Sequence, residues 1–224
     1  MDPSFWLERW QRGETGFHQS QINADLQTYW PRLAPAAAGA AVFVPLCGRS
    51  SDMCWLQAQG HRVIGVELSA EAIRSFFAGL RLEPQRRAAG RLECWHAGGY
   101  ELYVGDVFDL DAAPLAGVRG AYDRAALVAL PPALRARYAA HLQAILPAAC
   151  PVLLIALDYP QQQMPGPPFA VEEAEVRSLF AQRYAVTLLG RRDTLAAEPR
   201  FRQRGVQRLA ECSYLLEPLT ERRP

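Results

Sequence analysis

Residues 41–52 have the sequence Ala-Val-Phe-Val-Pro-Leu-Cys-Gly-Arg-Ser-Ser-Asp, and this stretch decides the fold class. Its first part, Ala41 to Leu46, is a short apolar run of the kind that forms a buried strand in a parallel sheet. The run ends in Cys47-Gly48, and Ser50 to Asp52 then open an amphipathic segment that stops at Gly60. The stretch therefore predicts a strand, a loop and the N-terminus of a helix.

The rest of the chain repeats this alternation of strand-like and helix-like segments. Ser69 is a good N-cap for a helix to about Leu80, and Pro132 opens another helix. Strands are predicted at residues 61–66, 102–104, 120–123, 152–158, 185–189 and 211–217. Such alternation predicts an α/β, Rossmann-like fold with a mostly parallel seven-stranded sheet flanked by helices. No repeat or linker divides the chain, so residues 1–224 are predicted to form a single domain.

Composition narrows the classes of partner. The 224 residues carry a net charge of +1, which gives no electrostatic reason to expect nucleic acid or a membrane surface. The five cysteines are an odd number and form no C-x-x-C pair, which favours free thiols in a reducing cytoplasm. The four histidines are scattered without metal-ligand spacing, so no metal is expected. No large apolar surface stripe is evident, and we expect a monomer.

Three features follow predicted strands at the sheet edge where doubly wound folds bind ligands. The first loop has a single glycine, Gly48, and therefore lacks the G-x-G-x-x-G pattern that a dinucleotide pyrophosphate needs. Glu67 ends the second strand, where a carboxylate can accept hydrogen bonds from two ribose hydroxyls. Gly105-Asp106-Val107 follows the third strand and can flank an adenine ring. These features predict a ligand that contains adenosine.

The N-terminal segment, residues 1–35, is unusually rich in aromatic side chains before any strand begins. They are Trp6, Trp10, Phe17, Tyr29 and Trp30, with His18 among them. Such density predicts a segment that folds over a pocket as a lid. Trp30, Trp55 and Trp95 are predicted to pack in the core instead.

Six short motifs, in order along nearly the whole chain, carry a family resemblance. They are Trp6-x3-Trp10-x2-Gly13-x-Thr15-x-Phe17-His18-Gln19, Val42-Phe-Val-Pro-Leu-Cys-Gly48, Gly60-His-x-Val-x-Gly-Val-Glu67, Phe108-Asp-Leu110, Asp123-Arg-x-Ala-Leu-Val-Ala129 and Pro165-Gly-Pro-Pro-Phe169. Together they resemble the thiopurine S-methyltransferases, which implies the fold of class I S-adenosylmethionine-dependent methyltransferases. Residues 124–126 read Arg-Ala-Ala where the animal members have Arg-Gly-Ala, so the chain looks like a bacterial member.

The resemblance implies a role for each matching position. The residues that bind the donor, S-adenosylmethionine, would be Trp6, Trp10, Leu46, Glu67 and Arg124, with Asp106 and Val107 at the adenine. The acceptor would meet Phe17, Arg124 and Arg200, although Arg202 or Arg204 could take the place of Arg200 in a loosely matching stretch. Arg124 follows an acidic residue, so a simple ion pair with Asp123 is the alternative interpretation. His18 is interpreted as structural, because methyl transfer to sulfur hardly requires a general base.

The predicted activity is methyl transfer to the sulfur of thiopurines or similar aromatic and heterocyclic thiols. No catalytic side chain is expected beyond positioning, with Arg124 and Arg200 assisting the acceptor. Selenium or tellurium compounds are possible acceptors through the family, which would link the protein to metalloid detoxification. Two alternatives stay open: a nicotinamide-dependent oxidoreductase on a related fold, and a non-catalytic protein that binds small molecules or metalloid compounds.

Overall fold

The computed structural model describes residues 3–14, 18–19, 21–33 and 39–219. These residues form a single sheet of nine strands, which lie side by side in the order β3-β4-β5-β2-β1-β6-β7-β9-β8. The strands are β1 (Ala41–Pro45), β2 (Arg62–Glu67), β3 (Gln85–Ala89), β4 (Leu92–Ala97), β5 (Tyr100–Val104), β6 (Val118–Arg124), β7 (Val152–Asp158), β8 (Tyr184–Asp193) and β9 (Ala210–Pro218).

The prediction of seven strands was wrong in number, because β3 and β4 form an additional antiparallel hairpin at one edge. The other seven strands correspond to the seven predicted ones. Strands β5, β2, β1, β6 and β7 are parallel neighbours, and β9 runs antiparallel between β7 and β8. Strand β3, with the sequence Gln-Arg-Arg-Ala-Ala, is almost wholly exposed. It lacks the apolar alternation that marks a strand in sequence, and its charges suit an edge strand.

Seven helices accompany the sheet in the described chain. They are α1 (Pro3–Gln11), α2 (Ala24–Leu33), α3 (Ser51–Ala58), α4 (Ala70–Gly79), α5 (Pro132–Ile145), α6 (Glu173–Phe180) and α7 (Pro199–Gln203). Helix α4 begins after the predicted N-cap, since the Ser69 hydroxyl accepts a hydrogen bond from the Ala72 N–H at 3.2 Å. None of these helices is long and apolar enough to cross a membrane.

Two hydrophobic clusters cover the two faces of the sheet. One contains Phe43, Tyr103 and Tyr138 and packs the sheet against α5 and α6. The other contains Trp30 and Trp95 and packs it against α2, α3 and α4. Trp30 and Trp95 are buried, as predicted, and Trp55 is partly buried against the same cluster. With both faces of the sheet covered, the strand tips are left as the place for a ligand.

Candidate active site

A large open crevice lies at the carboxyl ends of β1, β2, β5 and β6. It encloses about 1420 Å³ of empty space, part of which opens to solvent. Its floor is formed by the loops that follow these strands, and α1 lies over it with Pro3, Trp6, Arg9 and Trp10 in the lining. All seven residues predicted to bind the donor line this one crevice: Trp6, Trp10, Leu46, Glu67, Asp106, Val107 and Arg124.

Glu67 is held at the tip of β2 by main-chain donors. The Gly48 N–H donates to Glu67 Oε2 and the Ser69 N–H donates to Glu67 Oε1, each at 2.9 Å. Burial raises the pKa of this carboxyl above its usual value, and the two N–H bonds oppose the rise. Each carboxylate oxygen can accept a further hydrogen bond, so the side chain can receive two hydroxyl donors at once.

The loop after β1 brings its main chain close to the ligand space. Leu46 has φ of 45° and Gly48 has φ of 53°, so both adopt the left-handed conformation. A Cβ at position 48 would lie 3.3 Å from Trp10 Cζ2, which shows how closely the indole covers this loop. Trp10 itself is buried. A left-handed leucine is costly, and such conformations are concentrated at binding sites.

The loop after β5 carries the predicted adenine contacts. Asp106 Oδ1 accepts a hydrogen bond from the Phe108 N–H at 3.0 Å, which caps the short helical turn that follows. The Val107 carbonyl oxygen lies 2.8 Å from His141 Nε2, which donates to it from α5. Carbonyl and carboxylate are therefore both fixed, and the second carboxylate oxygen of Asp106 is available to a ligand amino group.

Arg124 and Asp123 point to opposite faces of β6, as successive strand residues do. Asp123 accepts hydrogen bonds from the Tyr138 hydroxyl at 2.7 Å and the Leu127 N–H at 3.2 Å. Arg124 instead donates from Nε to Asp52 Oδ2 at 2.7 Å and lines the crevice. The alternative interpretation, an ion pair between Arg124 and Asp123, is wrong for this reason.

Asp52 is the important residue that the sequence analysis missed. It lies in the first turn of α3 and is 1% exposed. Besides Arg124, it accepts hydrogen bonds from the Tyr122 hydroxyl at 3.0 Å and the Asn23 N–H at 2.9 Å. This pairing could not be predicted from the sequence, because Asp52 and Arg124 are 72 residues apart.

His18 also lines the crevice, next to this network. Burial lowers the pKa of its imidazole, and the nearby charges of Arg49 and Arg124 lower it further, while Asp52 opposes them. The lowered pKa favours the neutral form of the ring. Its prediction as structural stays a prediction, although its place in the lining brings it close to a bound ligand.

The predicted acceptor residues are placed less uniformly. Phe17 lies outside the described residues. Arg200, Arg202 and Arg204 are exposed and do not belong to the described lining of the crevice. Helix α7 directs Phe201 into a third hydrophobic cluster, and Arg204 Nη1 lies 3.5 Å from the Met164 sulfur of that cluster. The assignment of Arg200 to the acceptor stays a prediction.

The chemistry of the crevice suits a cationic adenosyl ligand. Two carboxylates, Glu67 and Asp106, offer acceptors for ribose hydroxyls and an amino group. The indoles of Trp6 and Trp10 offer aromatic surface, and aromatic faces attract cations. In the described residues no group of three His, Cys, Asp or Glu side chains could hold a metal ion. Cys47 lines the crevice, and burial raises the pKa of its thiol well above its usual value.

Comparison with known proteins assigns the family. The family profile described as thiopurine S-methyltransferase matches residues 1–218. The thiopurine S-methyltransferase of Bordetella bronchiseptica is 52% identical over 221 residues, covering 98% of this chain and 100% of that protein. The thiopurine S-methyltransferase of Pseudomonas fluorescens is 49% identical over 214 residues, covering 96% of this chain and 98% of that protein.

Solved structures with the same fold are methyltransferases of low sequence identity. The Burkholderia thailandensis 1,6-didemethyltoxoflavin-N1-methyltransferase, bound to 1,6-didemethyltoxoflavin and S-adenosylhomocysteine, superposes with a TM-score of 0.63 at 17% identity, covering 97% of this chain and 87% of that one. A methyltransferase from Anabaena variabilis that depends on S-adenosylmethionine superposes with a TM-score of 0.65 at 13% identity, covering 97% of this chain and 95% of that one. The family match and the fold agree with the motifs, and the chain belongs to the thiopurine S-methyltransferase family as an S-adenosylmethionine-dependent methyltransferase.

Proposed function

We propose that the protein methylates the sulfur of thiopurines or similar aromatic and heterocyclic thiols. The observation that carries the proposal is the position of the Arg124 guanidinium. It lines the same crevice as Glu67 and Asp106. Arg124 lies at the tip of β6, which pairs in parallel with β1. A guanidinium there, although it pairs with Asp52, places N–H donors beside the predicted donor site and so favours an acceptor that reacts as an anion, and a heteroaromatic thiol ionises readily.

The donor side of the proposal rests on residues that hydrogen bonds and packing hold in the crevice. Glu67 would hold the ribose hydroxyls, Asp106 and Val107 would flank the adenine, and Trp10 would cover the loop at Leu46. When bound, S-adenosylmethionine supplies a methyl carbon activated by a positively charged sulfur, and transfer of that carbon to a thiolate leaves two neutral sulfides. The side chains need only fix the direction of approach, and positioning can contribute roughly 7–11 kcal/mol in favourable systems.

The N-terminal segment would complete the site. Pro3, Trp6 and Trp10 already line the crevice from α1, and His18 lines it from the segment that follows. A roof of this kind excludes water from a charged reaction centre, which strengthens the electrostatic contacts inside it. We propose that residues 1–35 act as this roof in a cytoplasmic, monomeric enzyme.

The test is transfer of a labelled methyl group from S-adenosylmethionine to 6-mercaptopurine by the purified protein, with the product identified by mass. We expect S-methylation by the wild type and its loss in Glu67→Ala. Binding of the thiol without transfer would indicate a non-catalytic binding protein. If the protein quenches the fluorescence of a nicotinamide cofactor on mixing, this would instead support an oxidoreductase.

The same assay can include a selenol and inorganic selenium and tellurium compounds. Selenium and tellurium nucleophiles are softer than sulfur. Because a site that works by positioning needs no general base, it would also accept these nucleophiles. Methylation of these acceptors at rates comparable to the thiols would extend the proposal to metalloid detoxification. Transfer to the thiols alone would restrict it to sulfur.

A further inference from the structure

One buried carboxylate beside the crevice has no part in holding the donor as described so far. Asp52 is 1% exposed and accepts hydrogen bonds from three donors on two parts of the chain, β6 and the residue before α2. The donors are the Asn23 N–H before α2, the Tyr122 hydroxyl of β6 and Arg124 Nε at the tip of β6. A buried carboxylate is costly unless it is paired, so the contact with Arg124 is central to its presence there.

The pairing fixes the plane of the Arg124 guanidinium. Nε donates to Asp52 at 2.7 Å and Nη2 donates to the Ser50 hydroxyl at 3.3 Å. Among the described residues no group binds Nη1, which leaves that nitrogen for a ligand in the crevice. Because the guanidinium is rigid and planar, holding two of its nitrogens sets the direction of the third.

The same carboxylate is tied to the N-terminal segment through Asn23. The Asn23 side-chain oxygen accepts from the N–H groups of Asp25 and Leu26 at 2.9 and 3.0 Å, which caps the start of α2. Its Nδ2 donates to Glu211 Oε1 of β9 at 3.0 Å. Asn23 is thus fixed to the sheet at the base of the segment that covers the crevice.

We propose that Asp52 is a positioning residue for the acceptor: it aims Arg124 Nη1 into the crevice and joins that guanidinium to the base of the N-terminal roof. This inference rests on the proposed function, because, of the two ligands that the family resemblance gives to Arg124, it takes the anionic acceptor sulfur, and not the donor, as the group that Nη1 meets. Asp52 itself acts through Arg124 and touches neither donor nor acceptor.

Kinetics of Asp52→Asn separate positioning from a purely structural role. With saturating donor, kcat/KM for 6-mercaptopurine falls at least tenfold, while the Kd for S-adenosylhomocysteine stays within threefold of wild type. Asp123→Asn is the matched control, since Asp123 is equally buried and also bound by a tyrosine hydroxyl and a main-chain N–H, with no arginine. An equal fall in kcat/KM in both variants, or equal losses of donor and acceptor binding in Asp52→Asn, overturns the proposal.

A double-mutant cycle asks whether Asp52 acts through Arg124. In an Arg124→Ala background, Asp52→Asn should lower kcat/KM for 6-mercaptopurine by less than twofold. Multiplication of the two single effects would show that Asp52 acts independently, against the proposal. Should Asp52→Asn fail to fold, Asp52→Glu keeps the charge but displaces it by one methylene. A fall of at least threefold with unchanged donor binding supports the proposal, and wild-type kcat/KM overturns it.

A spectroscopic measurement keeps this inference distinct from the proposed function. The Nε–H resonance of Arg124, assigned by its loss in Arg124→Ala, should shift and exchange faster with water in Asp52→Asn and remain unchanged in Asp123→Asn. A wild type that methylates no thiol would refute the proposed acceptor class, whereas an unshifted resonance in Asp52→Asn would refute the pairing on which the positioning role depends.

Discussion

The proposed donor half of the crevice, at Glu67, and its proposed acceptor half, at Arg124, are held in different ways. On the donor half, the Glu67 carboxylate is fixed by main-chain N–H groups only 19 and 2 residues away in sequence. On the acceptor half, Arg124 is fixed by the Asp52 side chain, 72 residues away, which itself depends on Asn23 and Tyr122. Only a substitution to proline removes a main-chain N–H, so the donor half should tolerate change around it better than the acceptor half does.

The largest expected effect is on the donor half, from Glu67→Gln. Replacing the carboxylate would remove the charged hydrogen bonds that we propose to two ribose hydroxyls, and it turns an amide towards the Gly48 or Ser69 N–H. At about 1.5–3 kcal/mol for each charged hydrogen bond, the affinity for S-adenosylhomocysteine should fall about a thousandfold, or ~4 kcal/mol. Calorimetric titration measures it.

Glu101→Gln is the control for this prediction, because Glu101 lies on the adjacent strand β5 outside the crevice and pairs with Arg87. The affinity of the Glu101→Gln variant for S-adenosylhomocysteine should match that of the wild type. A Glu67→Gln variant that binds the donor product within threefold of wild type would remove Glu67 from the donor site and leave the two halves without the proposed distinction.

The next effect is on the free energy of unfolding, and it arises from Asp123, on the face of β6 opposite to Arg124. Burial raises the pKa of the Asp123 carboxyl from 3.8 to about 6, and the bonds from Tyr138 and Leu127 oppose the rise. Because the folded-state pKa is raised, Asp123 favours folding below its unfolded pKa, and this contribution is lost as the pH rises through about 6. The loss amounts to up to about 3 kcal/mol.

Chemical denaturation of wild type and Asp123→Asn between pH 4 and pH 7 tests this sign. The free energy of unfolding of the wild type should fall relative to that of the variant as the pH rises, because the variant has no carboxyl to ionise. A difference that is constant with pH, or that grows in favour of the wild type, would contradict the raised pKa.

On the acceptor half, Arg124→Ala and Arg200→Ala should differ. Arg124 lines the crevice, whereas Arg200 is exposed on α7 outside its described lining. We expect kcat/KM for 6-mercaptopurine to fall about 10–100-fold in Arg124→Ala, as for loss of one charged hydrogen bond, and less than threefold in Arg200→Ala. A larger loss in Arg200→Ala would support the role that the family resemblance gives it and would show that α7 approaches the acceptor.

What could be predicted from the sequence follows the same division. Glu67 and Asp106 could be placed at the crevice from the sequence because Glu67 ends β2 and Asp106 lies two residues after β5, and strand ends are local features of a sequence. The hairpin of β3 and β4 was missed because its outer strand is polar. Asp52 was missed because only folding brings it to Arg124. The false pairing of Arg124 with Asp123 was avoidable, since adjacent strand residues face opposite sides.

The smallest effect tests how the main chain itself holds the acceptor half. Ala125, directly after Arg124, has φ of 64°, a left-handed conformation that costs a non-glycine residue roughly 1–2 kcal/mol. Ala125→Gly removes that cost but gives the unfolded chain more freedom, worth about 0.5–1 kcal/mol in the opposite direction. The net change should be a stabilisation of no more than about 1.5 kcal/mol, measured by chemical denaturation.

Ala126→Gly is the matched neighbour, because Ala126 has φ of −85° and a buried methyl group. With no left-handed cost to relieve, this variant should lose about 1 kcal/mol or more through added chain entropy and a lost core contact. Opposite signs at two adjacent alanines would show that the turn after Arg124 is held against its backbone preference by the packing around it. Destabilisation in both variants would instead mean that position 125 carries no such strain, and that the side-chain bonds to Asp52 and Ser50 direct the guanidinium into the crevice.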